Sequence, residues 1–176
     1  KNVDSNIYQR WNWFRNDVFI QSVWRDKCAI GGGLSHDYFE SKTVGSAVFS
    51  DGRNFLNPYV FIRSDTQDDK GFPTRGFTLN AESKLLDLLV NDEKGSTIQT
   101  KITTQINFPF TDWFTYRLGL FGGFTVGEVL NDYYLFRIGG IFDQNLGNFT
   151  RFSGYEFGQL GAKNMLTNIN TFQFKV

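Results

Sequence analysis

The clearest pattern along the chain is a strict alternation of apolar and polar residues between positions 98 and 110. The even positions carry Ile, Thr or Phe, whereas the odd positions up to 107 carry Gln, Lys, Thr or Asn. Because successive side chains of a β-strand point to opposite faces, this period of two predicts a strand with one apolar and one polar face. At about thirteen residues, the strand exceeds the five or six residues usual in soluble sheets and suits a tilted strand that crosses a bilayer.

The segments on both sides of this strand continue the pattern and predict an antiparallel meander. Upstream, apolar and polar residues alternate from Phe77 to Leu85, and a polar turn follows over residues 91–96. Downstream, residues 114–127 alternate again, with Phe121 as the exception, after a tight connection that contains Pro109. Three consecutive long strands joined in this way predict an up-and-down sheet.

The rest of the chain is read in the same way. The leucines within residues 81–90 also suit a helix, but the alternation that begins at Phe77 favours a strand there. The segment 128–162 is long, aromatic and rich in glycine, and loops of this length in compact domains are usually functional. We expect it to fold back into the interior. Further strands are predicted over residues 7–14, 17–25, 28–39, 55–65 and 165–176.

The two faces of the central strands then decide the environment. A sheet in hydrocarbon must have no open edge, so its polar face needs a lumen filled with water or protein. Alternation alone also fits a soluble β-sandwich, but the aromatic residues beside the turns match the girdles of a membrane barrel. We expect the lumen to be lined by Glu82, Lys84, Lys101, Gln105 and Arg117. We expect lipid contacts at Ile98, Ile102, Ile106, Phe108, Phe114, Tyr116, Leu118 and Leu120.

Composition supports this reading and excludes other classes. Aromatic residues make up 18% of the 176 residues and glycine occurs 18 times, which suits aromatic girdles around a barrel. The formal net charge is zero, so no basic field attracts nucleic acid. One Cys and one His exclude an internal disulfide and a Cys/His zinc cluster, and no cofactor or metal is predicted. No apolar run is long enough for a transmembrane helix, and no signal peptide is visible, so we expect a mature product or a fragment.

No catalytic residue is predicted in this chain. A G-x-S-x-G nucleophile motif does not occur. Ser35 and His36 are adjacent on a predicted strand, so their side chains point to opposite faces and cannot readily form a nucleophile–base pair. The three glycines from Gly31 lack the Lys-Ser/Thr of a phosphate loop and indicate close packing in a strand. Residues 65–69 lack the Gly and Glu of a calcium loop and indicate a solvated turn.

Two sets of motifs resemble a known family. The turn motif Phe72-Pro73-Thr74-Arg75-Gly76 opens a strand, and the long segment carries Gly139-Gly140 followed by Phe152-Ser153-Gly154-Tyr155. In this order, over about residues 70–165, they resemble the C-terminal barrel of the bacterial surface antigen superfamily. That superfamily contains outer-membrane assembly insertases, two-partner secretion transporters and patatin-like phospholipases with a similar barrel behind the enzyme domain.

The resemblance implies a bacterial outer-membrane location and a long loop that folds into the barrel. In the superfamily an Arg in the loop tip contacts acidic residues of the inner wall, but Ser153 stands at that position here. Residues 154–160 look more like barrels attached to patatin-like proteins. The resemblance therefore implies a barrel that anchors or exports a patatin-like lipid hydrolase absent from this chain. The alternatives are an assembly or two-partner secretion barrel and a soluble β-sandwich binding module.

The expected fold class is all-β, an antiparallel up-and-down transmembrane β-barrel in one domain over residues 1–176. Superfamily barrels have roughly sixteen strands, whereas about eight are predicted here, so we expect a fragment. The absence of a terminal aromatic residue in Phe174-Lys175-Val176 points the same way. The expected partners are membrane lipid and either the remainder of the polypeptide or assembly partners. Whether the full-length protein is an enzyme depends on the sequence outside this chain.

Replacing Ile102 with Arg tests the lipid assignment. If Ile102 lies near the bilayer midplane, we expect the variant to lose about 2–4 kcal/mol of folding free energy, because a lipid-facing cation is unfavourable there. The measurement is denaturant unfolding of the protein in lipid vesicles. A negligible change would contradict the assignment of this face to lipid.

Overall fold

The computed structural model describes residues 8–44, 52–86, 97–128, 134–140, 148–151 and 160–175. Seven long strands form one sheet and three short strands form a second, smaller one. The strands are β1 (Tyr8–Trp24), β2 (Cys28–Val44), β3 (Arg53–Asp65), β4 (Gly76–Leu86), β5 (Thr97–Pro109), β6 (Phe114–Val126), β7 (Phe136–Ile138), β8 (Phe149–Thr150), β9 (Leu160–Ala162) and β10 (Met165–Phe174).

The large sheet is an antiparallel meander, as the alternation predicted. Its order is β1-β2-β3-β4-β5-β6-β10, so the strands that follow each other pair with each other until β10 returns beside β6. The small sheet has the order β8-β7-β9 and comes from the chain between β6 and β10. The large sheet is not closed, because β1 and β10 are its two edges, and the architecture is that of a partial β-barrel.

Two details of the sequence-based elements differ from the structure. The predicted break between residues 14 and 17 is wrong, since β1 runs unbroken through Arg15 and Asn16, which pair with Asp37 and His36 of β2. These polar residues resemble a turn in sequence, but pairing with β2 satisfies the hydrogen bonds of their backbone.

The segment 128–162, predicted as a long loop, also contains the three short strands. The strand preferred over a helix from residue 81 is confirmed as far as Leu86, and residues 87–90 lie outside the described ranges.

The cross-strand register places the even-numbered residues of β1, β2, β3, β5, β6 and β10 and the odd-numbered residues of β4 on one face. We call this the apolar face, and the opposite one the polar face. One row of directly paired residues crosses five strands on the apolar face: Ile62, Ala81, Ile102, Gly122 and Leu166. Ile98 is 47% exposed and Ile102 is 37% exposed, so no described part of the chain covers them. Among the described residues, no helix has the length and hydropathy needed to span a membrane.

Stacked aromatic rings border the apolar face where β5 and β6 are joined by a short turn. Tyr116 of β6 lies 6.0 Å from Phe108 and 5.6 Å from Phe172, measured between ring centroids. Phe124 lies at the other end of the same strand, eight residues away. That is roughly 26 Å along the strand and about 20 Å in height at the usual barrel tilt, close to the apolar band of a membrane barrel. The same stack includes Phe110, Trp113, Phe114 and Phe174.

The turn between β1 and β2 generates a stability prediction. Arg25 and Asp26 both have positive φ values, 52° and 54°, as in a type I′ turn, which favours Asn-Gly. We expect Asp26→Gly to stabilise the protein by about 0.5–1 kcal/mol, because a left-handed conformation is unfavourable for a residue with a Cβ. Unfolding in lipid vesicles measures this change. The control is Asp26→Ala, which keeps a Cβ, and a gain of the same size in both variants would contradict the explanation.

Candidate functional site

The polar face carries a docking site for the segment between β6 and β10. Tyr134 of that segment is 3% exposed and lies in a buried cluster with Phe39, Phe55 and Leu86. Its ring meets Phe55 edge-on at a centroid distance of 5.3 Å. Its hydroxyl accepts a hydrogen bond of 3.0 Å from Asn57 Nδ2. Apolar packing and a hydrogen bond to β3 therefore hold Tyr134 against the wall.

Phe136 is the second anchor of the segment and is fully buried. Its ring packs against Phe121 of β6, at 5.8 Å between centroids and an interplanar angle of 72°. A Cβ added at Gly123 would lie 2.6 Å from the Phe136 ring, so this glycine makes space for it. Phe121 was the exception to the alternation of β6. The structure explains it, because the apolar side chain on the polar face is the packing partner of Phe136.

Amide side chains fix the backbone of the same segment. The carbonyl of Tyr134 accepts hydrogen bonds from Gln99 Nε2 at 2.6 Å and from Asn148 Nδ2 at 3.0 Å. Asn148 Nδ2 also donates to Gln99 Oε1 at 3.1 Å, which closes a small ring of polar contacts. At the other end of the segment, the amide of Thr125 donates to Asn164 Oδ1 at 2.9 Å. The segment is thus attached to the wall by side chains of several strands.

A charge cluster lies beside the docking site, formed by Arg15, Asp17, Asp37, Glu82 and Lys84. The Nε atom of Arg15 lies 2.7 Å from an oxygen of Asp17 and 4.0 Å from one of Asp37. Arg15 Nη2 is 4.0 Å from Glu82, whose other oxygen is 3.7 Å from Lys84 Nζ. Strands β1, β2 and β4 supply these groups, so each of the three carboxylates at the centre of the polar face lies within 4.0 Å of Arg15 or Lys84.

Hydrogen bonds connect this charge cluster to the docking site. Asn57 Nδ2 donates to Asp37 Oδ2 at 2.8 Å as well as to Tyr134. Lys84 Nζ donates to Ser35 Oγ at 3.3 Å, and Ser35 Oγ donates to the carbonyl of Asn57 at 3.3 Å. His36 points to the apolar face, where its Nε2 lies 3.0 Å from Asn54 Oδ1. Ser35 and His36 therefore form no nucleophile–base pair.

The register also locates the residues for which the sequence predicted an environment. All five expected to line the lumen, Glu82, Lys84, Lys101, Gln105 and Arg117, lie on the polar face, and Glu82 pairs directly with Lys101. The guanidinium of Arg117 donates to Asn107 Oδ1 at 3.2 Å and to Gln173 Oε1 at 2.8 Å. The eight expected to contact lipid lie together on the apolar face: Ile98, Ile102, Ile106, Phe108, Phe114, Tyr116, Leu118 and Leu120.

The turn motif of residues 72–76 is held by an aspartate outside the strands. Asp68 accepts hydrogen bonds from the hydroxyl and amide of Thr74 and from the amide of Arg75. The hydroxyl of Thr74, followed by the amide of Arg75, lowers the pKa of Asp68 well below its usual range. Gly76 has a φ of +87°, and a Cβ there would lie 2.3 Å from the carbonyl oxygen of Thr66. The motif thus builds a rigid turn.

Asp69 stabilises the same turn as Asp68. Its Oδ1 accepts hydrogen bonds from the amides of Gly71 and Phe72 at 2.6 and 2.8 Å. Backbone N–H groups therefore occupy the carboxylates that loosely resembled a calcium loop in sequence. Across the described ranges, no group of three or more His, Cys, Asp or Glu side chains is placed to bind a metal ion.

The loop motif is described in part. Gly139 and Gly140 have positive φ values of 137° and 85°, and the amide of Gly139 donates to the carbonyl of Thr150 at 3.2 Å. Residues 152–155, which carry the tip sequence Phe-Ser-Gly-Tyr, lie outside the described ranges. The two glycines therefore supply conformations that other residues rarely adopt, at the point where β7 ends.

Sequence reasoning missed Arg15, Asp37, Asn57 and Tyr134. The signal available for them was alternation, since Ser35 and Asp37 or Phe55 and Asn57 are two residues apart and share a face. Alternation assigns the face but not the neighbours, which depend on the register of β1, β2 and β3. Alternation therefore assigns a face to Arg15, Asp37 and Asn57, and strand pairing brings them together, whereas Tyr134 lies outside the strands.

Two comparisons with known proteins complete the description. A family model described as the OMP85 superfamily matches residues 2–176. No curated protein matches the chain. The family match extends over all seven strands of the large sheet and over the docked segment.

Two glycines of β6 provide a matched test of the docking site. We expect Gly123→Ala to destabilise the protein by about 1–3 kcal/mol and to expose the segment of residues 134–164 to protease, because its new Cβ overlaps Phe136. Gly119→Ala is the control on the same strand and face, since its Cβ would lie 3.6 Å from the carbonyl oxygen of Ile169 and 3.7 Å from its Cβ, in ordinary contact. Equal protease sensitivity of the two variants would contradict the role of Phe136.

Proposed function

Because the chain belongs to the OMP85 superfamily, and is thus a bacterial outer-membrane barrel domain, we propose that it anchors or exports a patatin-like lipid hydrolase encoded elsewhere in the full-length protein. The superfamily is not an enzyme family, and this chain contains no G-x-S-x-G motif. The hydrolytic chemistry would therefore belong to a separate domain. The family membership and the outer-membrane location argue against the soluble β-sandwich alternative.

The orientation of the sheet follows from the contrast between its faces. We infer that the apolar face contacts acyl chains, which is supported by the exposure of Ile98 and Ile102 and by the aromatic stack at its border. The polar face would then line the lumen, and the segment that docks through Tyr134 and Phe136 would occupy part of it. This arrangement satisfies the requirement that charged groups in the membrane face a cavity or other protein.

The observation that carries the proposal is the position of Arg15. Its guanidinium lies within 2.7–4.0 Å of the carboxylates of Asp17, Asp37 and Glu82. In assembly and transport barrels, the resemblance implies that an Arg from the loop tip approaches acidic residues of the wall. Here Ser153 stands at that tip position, and an Arg of the wall, Arg15, lies beside such carboxylates. A barrel that holds a hydrolase in the membrane does not require a loop that can be released.

The docked segment supports the same function. Tyr134 and Phe136 are 3% and 0% exposed and are held by β3, β5 and β6. Passage of a polypeptide through the lumen would require these buried rings to leave their sites, whereas a membrane anchor benefits from a closed interior. The similarity of residues 154–160 to barrels of patatin-like proteins is a second, independent support.

An assembly or two-partner secretion barrel is the second candidate. The match to the OMP85 superfamily favours this candidate, because the match supports a barrel of the general assembly or transport type. The part of the polar face near Arg117, which donates to the neutral amides of Asn107 and Gln173, would supply the hydrophilic wall that such transport needs. In this case assembly or secretion partners would bind the full-length protein.

The two candidates differ in what the full-length protein does in a membrane. If the barrel anchors a hydrolase, we expect the protein in phospholipid vesicles to release fatty acids and to react covalently with a fluorophosphonate probe for active serines. Heat-denatured protein is the control for both signals. Failure to release fatty acids or bind the probe, together with a membrane-assembly or secretion defect in cells that lack the protein, would contradict the proposal and support the second candidate.

A further inference from the structure

Two asparagines interrupt the apolar face on its edge strand. In β10, Asn168 and Asn170 share this face with Leu166, Phe172 and Phe174, and both asparagines are exposed. Their direct neighbours on β6 are Leu120 and Leu118. The polar side chains therefore lie at the open edge of the sheet, and the adjacent strand inside the sheet is apolar at the same level.

The asparagines lie between the two aromatic borders of the apolar face. Asn168 is four residues from Phe172, which belongs to the aromatic stack at one end. At the rise of a strand and the usual tilt of a barrel, this places it roughly 10 Å from that border, about halfway across the band. An amide without hydrogen-bond partners at this depth is strongly unfavourable, because hydrocarbon offers it neither donor nor acceptor.

The sheet satisfies these amides only in part. The hydroxyl of Tyr116 donates to Asn170 Oδ1 at 2.5 Å, which leaves the amide hydrogens of Asn170 available. Asn168 makes no side-chain hydrogen bond with any residue that the structure describes. Elsewhere on the same face, polar side chains of neighbouring strands satisfy each other, as between Ser83 Oγ and Thr100 Oγ1 at 3.0 Å. Neighbouring strands are thus the source of such partners in this protein.

The edge of β10 also requires a partner through its backbone. β10 pairs with β6 on one side, and no described strand lies on its other side. An open edge is unfavourable in hydrocarbon because its N–H and C=O groups remain unpaired. We propose that a further strand of the same barrel pairs with this edge and places outward-facing Ser, Thr, Asn or Gln side chains opposite Asn168 and Asn170. The result is a hydrogen-bonded amide seam on the outer surface of the barrel.

This inference rests on the proposed lipid contact of the apolar face, and a quenching experiment tests that contact separately from the seam. In the full-length protein with Cys28 replaced by Ser, a bimane fluorophore is attached to Asn168→Cys or to Leu166→Cys, in vesicles of acyl-brominated phosphatidylcholine. We expect strong quenching at position 166, which is 75% exposed, and at position 168 on the same strand and face, because both lie on the outer surface of the barrel. Weak quenching at both positions would instead contradict the lipid contact itself.

One other outcome overturns the seam. Disulfide-linked dimers of Asn168→Cys would assign a second copy of the protein to this edge instead of a strand of the same barrel.

The direction of a stability change provides a second measurement. If a polar strand faces Asn168, we expect Asn168→Leu to lower the urea midpoint of unfolding in vesicles, because the partner side chain loses its hydrogen bond. If Asn168 has no polar partner on a neighbouring strand, the same substitution raises the midpoint, and this result would overturn the proposal. Leu166→Asn is the matched control, since it introduces an amide toward lipid and should lower the midpoint.

Discussion

The structure depends on one constraint, the pairing of backbone N–H and C=O groups in a medium without water. Long antiparallel strands satisfy it along β2 to β6, where each strand has a partner on both sides. The same pairing fixes the pleat and thereby separates the side chains onto two faces. The apolar face, with Ile98 and Ile102 exposed, suits acyl chains, and the polar face requires an interior of water or protein.

The polar face meets that requirement with groups from the chain itself. Arg15 and Lys84 lie against the carboxylates of the charge cluster, so that acidic side chains deep in the sheet have counter-charges. The segment between β6 and β10 adds Tyr134 and Phe136, which cover part of the wall and exclude water from it. Gly123 shows how closely wall and segment fit, because a single methyl group there overlaps the Phe136 ring.

These contacts connect the fold to the proposed role. Membership of the OMP85 superfamily establishes an outer-membrane barrel domain, and members of that superfamily share an architecture while differing in what the barrel does. The distinction therefore depends on the interior. A wall in which Arg15 lies beside Asp17, Asp37 and Glu82, and a segment fixed by Asn57, Gln99 and Phe121, are the features on which the proposed anchoring role rests.

The sequence alone determined the strands and their faces, because the period of two is a local property of the extended backbone. It thus predicted the up-and-down sheet and separated Lys101 from Ile102 before any contact was known. Register, by contrast, is decided between segments far apart in the chain. Only the tertiary structure showed that β1 is unbroken, that Arg15 meets Asp37, and that Phe121 leaves the pattern to pack against Phe136, since each depends on a partner that local sequence does not specify.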